Sequence, residues 1–85
     1  MNSHLVEALL EAVYFFAECD DDVLDPDVSV QQLELTAAVL AKMSESEKLE
    51  FAKCCRQHSA DIDKIDAEKR QFYMEVPENL GLVTE

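Results

Sequence analysis

Two cysteines and a histidine lie within one turn of each other in the sequence Cys54-Cys55-Arg-Gln-His58. Thiolate and imidazole groups at this spacing on a helix can bind a metal ion, but a zinc site needs three or four ligands. The spacing of the remaining cysteine, histidine and carboxylate residues does not require any of them to complete the set. We therefore predict no metal and no cofactor, with a metal held by Cys54, Cys55 and His58 as the open alternative, because free cysteine is common as a small buried apolar residue.

A run of aspartates after the first apolar segment suggests a calcium loop. Such a loop needs oxygen ligands at positions 1, 3, 5 and 12 and a glycine at position 6. If the loop starts at Asp20, Leu24 is at position 5, Asp25 at position 6 and Gln31 at position 12. The sequence therefore predicts a solvated loop that caps a helix rather than a calcium site.

Catalysis is not predicted either. A Cys–His nucleophile needs conditions that favour the thiolate, and acidic surroundings oppose it. No glycine-rich turn offers an oxyanion hole. A glycosidase needs a cleft between two carboxylates, and a helical chain of 85 residues rarely builds one. We therefore expect a protein that is not an enzyme.

Acidic residues are distributed very unevenly along the chain. The formal net charge is −12, from 19 acidic and 7 basic residues. The segment 1–41 has no lysine or arginine, and its acids are Glu7, Glu11, Glu18, Asp20, Asp21, Asp22, Asp25, Asp27 and Glu34. This charge argues against nucleic acids and anionic membranes as partners, since both need a basic surface.

A basic protein is the partner class that fits an acidic surface of this kind, because charge complementarity steers association. The alternative is that the charge serves only solubility. Seven residues are predicted to form the partner-binding surface, and tyrosine is included because it often anchors interfaces. They are Glu7, Glu11, Tyr14, Glu18, Asp20, Asp21 and Asp22.

One glycine, two prolines and no alternating apolar pattern predict an all-α fold, a small helical bundle in a single acidic domain over residues 1–85. Capping residues predict where helices start: Ser3, Asp25 with Pro26, and the Ser44–Glu47 capping box. The predicted helices span 4–19, 26–43, 45–58 and 60–75, and a tail over 77–85 folds back through Leu80 and Leu82. The third and fourth are expected to be separated by a break near Ser59, with one continuous helix as the alternative.

The first two helices are apolar on more sides than one small chain can cover. The apolar arc of the first helix is roughly 220° wide, where a surface helix needs about 100°. The second carries two stripes, one through Val30 and Leu33 and another through Val28, Leu35 and Val39. Because small domains often need a further source of stability, we predict a homodimer joined through these two helices.

The amino-terminal segment lacks a basic region, and Glu7 and Glu11 interrupt its apolar run, so neither a signal peptide nor a membrane span is expected. Three cysteines cannot pair completely within one chain. They are interpreted as reduced thiols, which predicts a cytoplasmic protein.

Three segments carry a resemblance to known proteins: DDDVLDPDVSVQQLE from Asp20 to Glu34, MSESEK before the third helix, and VPENLGL near the end. With them the chain resembles small acidic helical bacterial proteins, some of them similar in size and charge to cytoplasmic immunity proteins of toxin systems. The resemblance implies stoichiometric inhibition, in which the protein binds a cognate toxin, often a basic nuclease, and blocks it. No family motif is matched, so no functional residue is carried over. A self-associating structural or regulatory homodimer is the alternative function.

Overall fold

The computed structural model describes residues 1–83, which form four α-helices and no β-strand. The helices are α1 (Ser3–Glu18), α2 (Pro26–Leu40), α3 (Glu45–Asp61) and α4 (Ala67–Asn79). The predicted all-α fold is therefore confirmed, with the count at four.

Helix starts follow the capping residues closely. Asp25 accepts a hydrogen bond from the Asp27 amide at 2.9 Å, and Pro26 is the first residue of α2, as predicted. The capping box before α3 is complete, since the Ser44 hydroxyl accepts from the Glu47 amide and the Glu47 carboxylate accepts from the Ser44 amide. The first cap was predicted one residue late: Asn2 caps α1, because its side-chain oxygen accepts from the amide of Leu5 at 3.1 Å.

The predicted break between the third and fourth helices exists but lies further along the chain. Helix α3 continues past Ser59 to Asp61, and α4 begins only at Ala67, so the prediction of a helix over 60–75 is wrong at both ends. Ser59 stays helical because its hydroxyl donates to the Arg70 carbonyl at 2.8 Å, while Arg70 Nε donates to the Ser59 carbonyl at 3.2 Å. These two hydrogen bonds join α3 to α4 on either side of the turn, and Ile65 within the turn is almost fully exposed.

Pro77 was predicted to follow the last helix, but it lies inside α4 and is buried. The helix ends instead at Asn79, and the turn that follows contains Gly81 in the left-handed region, with φ of 73°. The Leu82 amide donates to the Pro77 carbonyl at 2.9 Å and the Gly81 amide donates to the Glu78 carbonyl at 3.0 Å, which is the Schellman pattern. This turn carries Leu82 into the core and packs Leu80 against it, as predicted.

Helix α1 lies at the centre of the bundle and contacts each of the other three helices. The core consists of Val6, Leu10, Val13, Phe51, Cys55, Tyr73, Val76 and Leu82. Helix α2 contributes no residue to this core and packs chiefly on α1, and its one buried residue is Ser29. It also ends at Leu40 rather than residue 43, because Ala41 to Met43 form the turn that leads to the Ser44 cap.

Candidate partner-binding groove

An open groove of about 450 Å³ lies along the carboxyl-terminal half of α1 and the turn that follows it. The turn is tight, since the amides of Val23 and Leu24 both donate to the carbonyl of Asp20, at 2.9 and 3.2 Å. This turn brings Val23 to the groove beside the last turn of α1. We call this feature the acidic groove, and its lining residues are Glu11, Tyr14, Phe15, Glu18, Cys19, Asp20, Val23 and Lys69.

The structure brings together part of the predicted surface. The predicted residues that line the acidic groove are Glu11, Tyr14, Glu18 and Asp20. The predicted residues that do not line it are Glu7, Asp21 and Asp22. Glu7 lies one helical turn before Glu11 and faces His58 of α3, while Asp21 and Asp22 are exposed in the turn after α1.

Lys69 of α4 supplies a cation that the first 41 residues lack. Its Nζ donates to Oε1 of Glu11 at 2.8 Å, and the same oxygen accepts from the hydroxyl of Tyr73 at 2.5 Å. These two hydrogen bonds lower the pKa of Glu11 from its ordinary value, and the bond to Glu11 raises the pKa of Lys69. Lys69 Nζ also lies 5.4 Å from the ring centroid of Tyr14, within cation–π range. Glu11 is therefore engaged inside the fold.

Tyr14 forms part of the wall of the groove. Its half-buried ring meets Phe72 edge to face, with centroids 5.1 Å apart, and also contacts the ring of Tyr73 at 6.3 Å. Burial, followed by the nearby carboxylates of Asp66 and Glu18, raises the pKa of Tyr14, so the phenol is a hydrogen-bond donor at neutral pH. Its ring is held in place by these aromatic contacts.

Two apolar side chains that are exposed in the groove were not among the residues predicted from the sequence. Phe15 is 50% exposed and Val23 is 63% exposed. Phe15 looked like one residue of a wide apolar arc, and Val23 looked like an ordinary loop residue. Only the turn after α1 places both side chains at one groove.

The groove keeps a negative charge after Lys69 is counted. Its three lining carboxylates and one ammonium group give a net charge of −2. Among residues 1–83, neither Glu18 nor Asp20 has an ion-pair partner. The carboxyl end of α1 adds the partial negative charge of a helix terminus. A cation with an apolar stem fits this arrangement of charge and exposed apolar surface.

A second group of polar residues joins α1 to α3. Ser3 Oγ lies 3.1 Å from Nε2 of His58, and Nδ1 of the same ring lies 3.8 Å from the carboxylate of Glu7. The order of groups resembles a serine–histidine–acid triad. However, Nε2 also lies 2.9 Å from the Ser3 carbonyl oxygen, which can only accept, so its N–H is donated there. We interpret this group as a tie between the helices, because a nitrogen that carries this proton cannot take one from the hydroxyl.

No group of three or more histidine, cysteine, aspartate or glutamate side chains in residues 1–83 is arranged to hold a metal ion. Cys54 and His58 are half-buried, and Cys55 is fully buried on the inner face of α3. Burial raises the pKa of Cys55 to about 12, which leaves its thiol protonated.

Each helix in residues 1–83 is too short or too polar to span a bilayer.

Comparison of the chain with models of protein families, with curated proteins and with solved structures gives no match.

Proposed function

We propose that the protein is a non-enzymatic binding module that captures a basic protein in the acidic groove and thereby inhibits it stoichiometrically, in the manner of an immunity protein. The observation that supports this proposal most directly is the composition of the groove. It combines exposed Phe15 and Val23 with the carboxylates of Glu18 and Asp20, which have no ion-pair partner among residues 1–83.

A lysine or arginine side chain of the partner suits this groove. Its aliphatic stem packs on Phe15 and Val23, and its charged head lies between the carboxylates of Glu18 and Asp20. Glu11 has a smaller part, since Lys69 already pairs with it. Asp21 and Asp22 contribute to the attractive field without lining the groove, which affects the association rate more than the lifetime of the complex.

The test is affinity capture from the native host followed by association kinetics with the captured protein. The variant Glu18→Lys with Asp20→Lys reverses the groove charge. Its matched control is Glu34→Lys with Asp61→Lys, which makes the same change in net charge at exposed sites outside the groove. We expect the groove variant to associate at least about tenfold more slowly than the control, with the difference shrinking in high salt.

Phe15→Ala tests the apolar part of the groove separately. We expect faster dissociation with little change in association rate, because buried apolar contacts act mainly on complex lifetime. Capture of the same basic protein by wild type and by the groove variant in equal yield would contradict the proposal. Recovery of the chain alone would also contradict it and would favour a structural or regulatory homodimer.

The chain also offers a surface for self-association, and a homodimer joined through α1 and α2 is part of the proposed function. Its support is that α2 packs chiefly on α1 and leaves several large apolar side chains exposed. They are Val28, Val30, Leu35 and Val39. Light scattering over a range of protein concentrations measures the state directly, and a folded monomer at every concentration would refute the dimer.

A further inference from the structure

The outward face of α2 carries a stripe of exposed apolar residues. Val28, Leu35 and Val39 are spaced by seven and four residues, so they lie along one side of the helix. Leu35 is 53% exposed and Val39 is 62% exposed. We call these three residues the α2 stripe.

Next to the stripe lies an apolar hollow between α1 and α2. Its volume is about 300 Å³, and Leu9 and Leu40 lie in it beside the flanks of Leu35 and Val39. A smaller hollow of about 150 Å³ shares Leu9 and Leu40 and continues towards Leu5. No residue that lines either hollow has a charged side chain. The α2 stripe and the hollow beside it can fit the hollow and the stripe of a second copy, and a two-fold interface requires this kind of self-complementary surface.

Charge decides which occupant fits this face. At 100° per residue, the two acids of α2, Asp27 and Glu34, lie roughly 100° or more from the centre of the stripe. A basic partner would therefore find no counter-charge on the stripe. A second copy of this acidic chain needs a face without acids, because like charges brought together at an interface oppose association. The stripe and its hollow meet that need.

We propose that two copies pair through α2 in antiparallel orientation about a two-fold axis, each placing its stripe against the other's hollow. This inference rests on the proposed homodimer and is independent of the acidic groove. In the register that places Val28 at the same level along the helix axes as Val39 of the second copy, Asp25 is level with Lys42, since each lies three residues outside the stripe. Lys42 is the first basic residue of the chain, and it has no ion-pair partner among residues 1–83. In the two-fold dimer, Asp25 of each copy pairs with Lys42 of the other, so both lysines gain an ion-pair partner.

The available area indicates a weak dimer. Helix α2 has 15 residues, so it is about 22 Å long. Two neighbouring helices give a face roughly 20 Å wide, and the resulting contact of about 450 Å² per copy is below the roughly 800 Å² of a standard interface. We therefore expect a dissociation constant in the micromolar range and a concentration-dependent monomer–dimer equilibrium.

Sedimentation velocity of the full chain from roughly 1 to 300 micromolar tests the interface over the range expected for such an area. The variant Leu35→Glu adds an acid to the stripe. Its matched control Leu49→Glu makes the same change on α3, at a leucine that is 65% exposed. We expect the dissociation constant to rise at least about tenfold in the first variant and to stay unchanged in the second.

The homodimer and the α2 interface can be refuted separately. A wild-type monomer throughout the concentration range overturns the homodimer itself. A wild-type dimer that survives Leu35→Glu, or that Leu49→Glu weakens equally, overturns the α2 interface while leaving the homodimer in place. Circular dichroism of each variant verifies that the helices are retained.

The register has its own test. Lys42→Glu places acids opposite each other and should weaken the dimer, whereas Lys53→Glu, on the exposed side of α3, makes the same change in net charge and should not. Adding Asp25→Asn to Lys42→Glu should restore part of the affinity, because asparagine also caps a helix and removes the repulsion. Absence of this rescue overturns the antiparallel register.

Discussion

Replacement of Glu11 tests whether this carboxylate stabilises the fold or is free for a partner. Its Oε1 accepts hydrogen bonds from Lys69 at 2.8 Å and from the Tyr73 hydroxyl at 2.5 Å. Glu11→Gln keeps an oxygen acceptor but removes the charge. Glu11→Ala removes the acceptor as well and leaves the hydroxyl of Tyr73, a residue with 2% exposure, without its partner.

The solvent exposure of the Glu11 side chain limits how much its replacement can change the free energy of unfolding. The Glu11 side chain is 56% exposed, so the ion pair with Lys69 is screened by water and contributes at most about 1 kcal/mol. The loss of charge in Glu11→Gln should therefore lower the free energy of unfolding by about 1 kcal/mol. Glu11→Ala should lower it by about 2 kcal/mol, because the Tyr73 hydroxyl loses its acceptor on folding.

The effect of Glu11→Gln should depend on pH with a definite sign. Hydrogen bonds from Lys69 and Tyr73 lower the pKa of Glu11 below its ordinary value of 4.5 in the folded protein. The stability that the carboxylate contributes is therefore complete above its unfolded pKa and is lost as the pH falls through the folded pKa. The difference between wild type and Glu11→Gln should shrink as the solution is acidified below about pH 4.5.

Urea unfolding followed by circular dichroism, from about pH 7 to about pH 3, measures this difference. Glu18→Gln is the matched control on the same helix. Glu18 has no ion-pair partner among residues 1–83 and lies at the carboxyl end of α1, where a negative charge is unfavourable. Its replacement should leave stability unchanged or slightly increased. Equal stability of the two variants at neutral pH, or a gap that persists in acid, would refute the reasoning.

Three further predictions concern the local structure. Burial raises the pKa of Cys55 to about 12, so iodoacetamide at about pH 8 should modify Cys19 and Cys54 well before Cys55. Mass spectrometry of the digested protein measures the order of labelling, and equal labelling of the three cysteines in the native protein would contradict the prediction. Ser44→Ala removes the cap of α3 and should lower the free energy of unfolding, measured in urea, by about 1 kcal/mol. Ser44→Asp should keep most of that stability, because aspartate also caps a helix. Gly81→Ala should lower the free energy of unfolding by about 1 kcal/mol because alanine is strained at a positive φ. Crowding is not the reason, since a Cβ at this position meets no atom within 4 Å. An unchanged urea midpoint would contradict this explanation.

Much of the fold could be predicted from local signals. The Ser44–Glu47 box and the Asp25–Pro26 start act between residues a few positions apart, so the sequence alone places them. Helical spacing likewise places Phe51 and Cys55, four residues apart, on one face of α3, and both are buried there.

Helix ends that depend on distant residues could not be predicted in the same way. The break after α3 is displaced because Ser59 and Arg70 exchange two hydrogen bonds across the turn. These bonds exist only after the chain has folded back. The end of α4 is a different case: the helix passes through Pro77 to a Schellman turn at Gly81, whose bonds join residues at most five positions apart.

The sequence by itself determined the all-α class, the caps of α2 and α3 and the surplus of acids in the first 41 residues, because these follow from composition and short-range spacing. Only the tertiary structure decided which acids remain without partners. Lys69, 58 residues away from Glu11, pairs with it, whereas Glu18 and Asp20 stay unpaired within residues 1–83 beside exposed Phe15. The physical reason is that ion pairing depends on distance in space, and helix packing sets that distance.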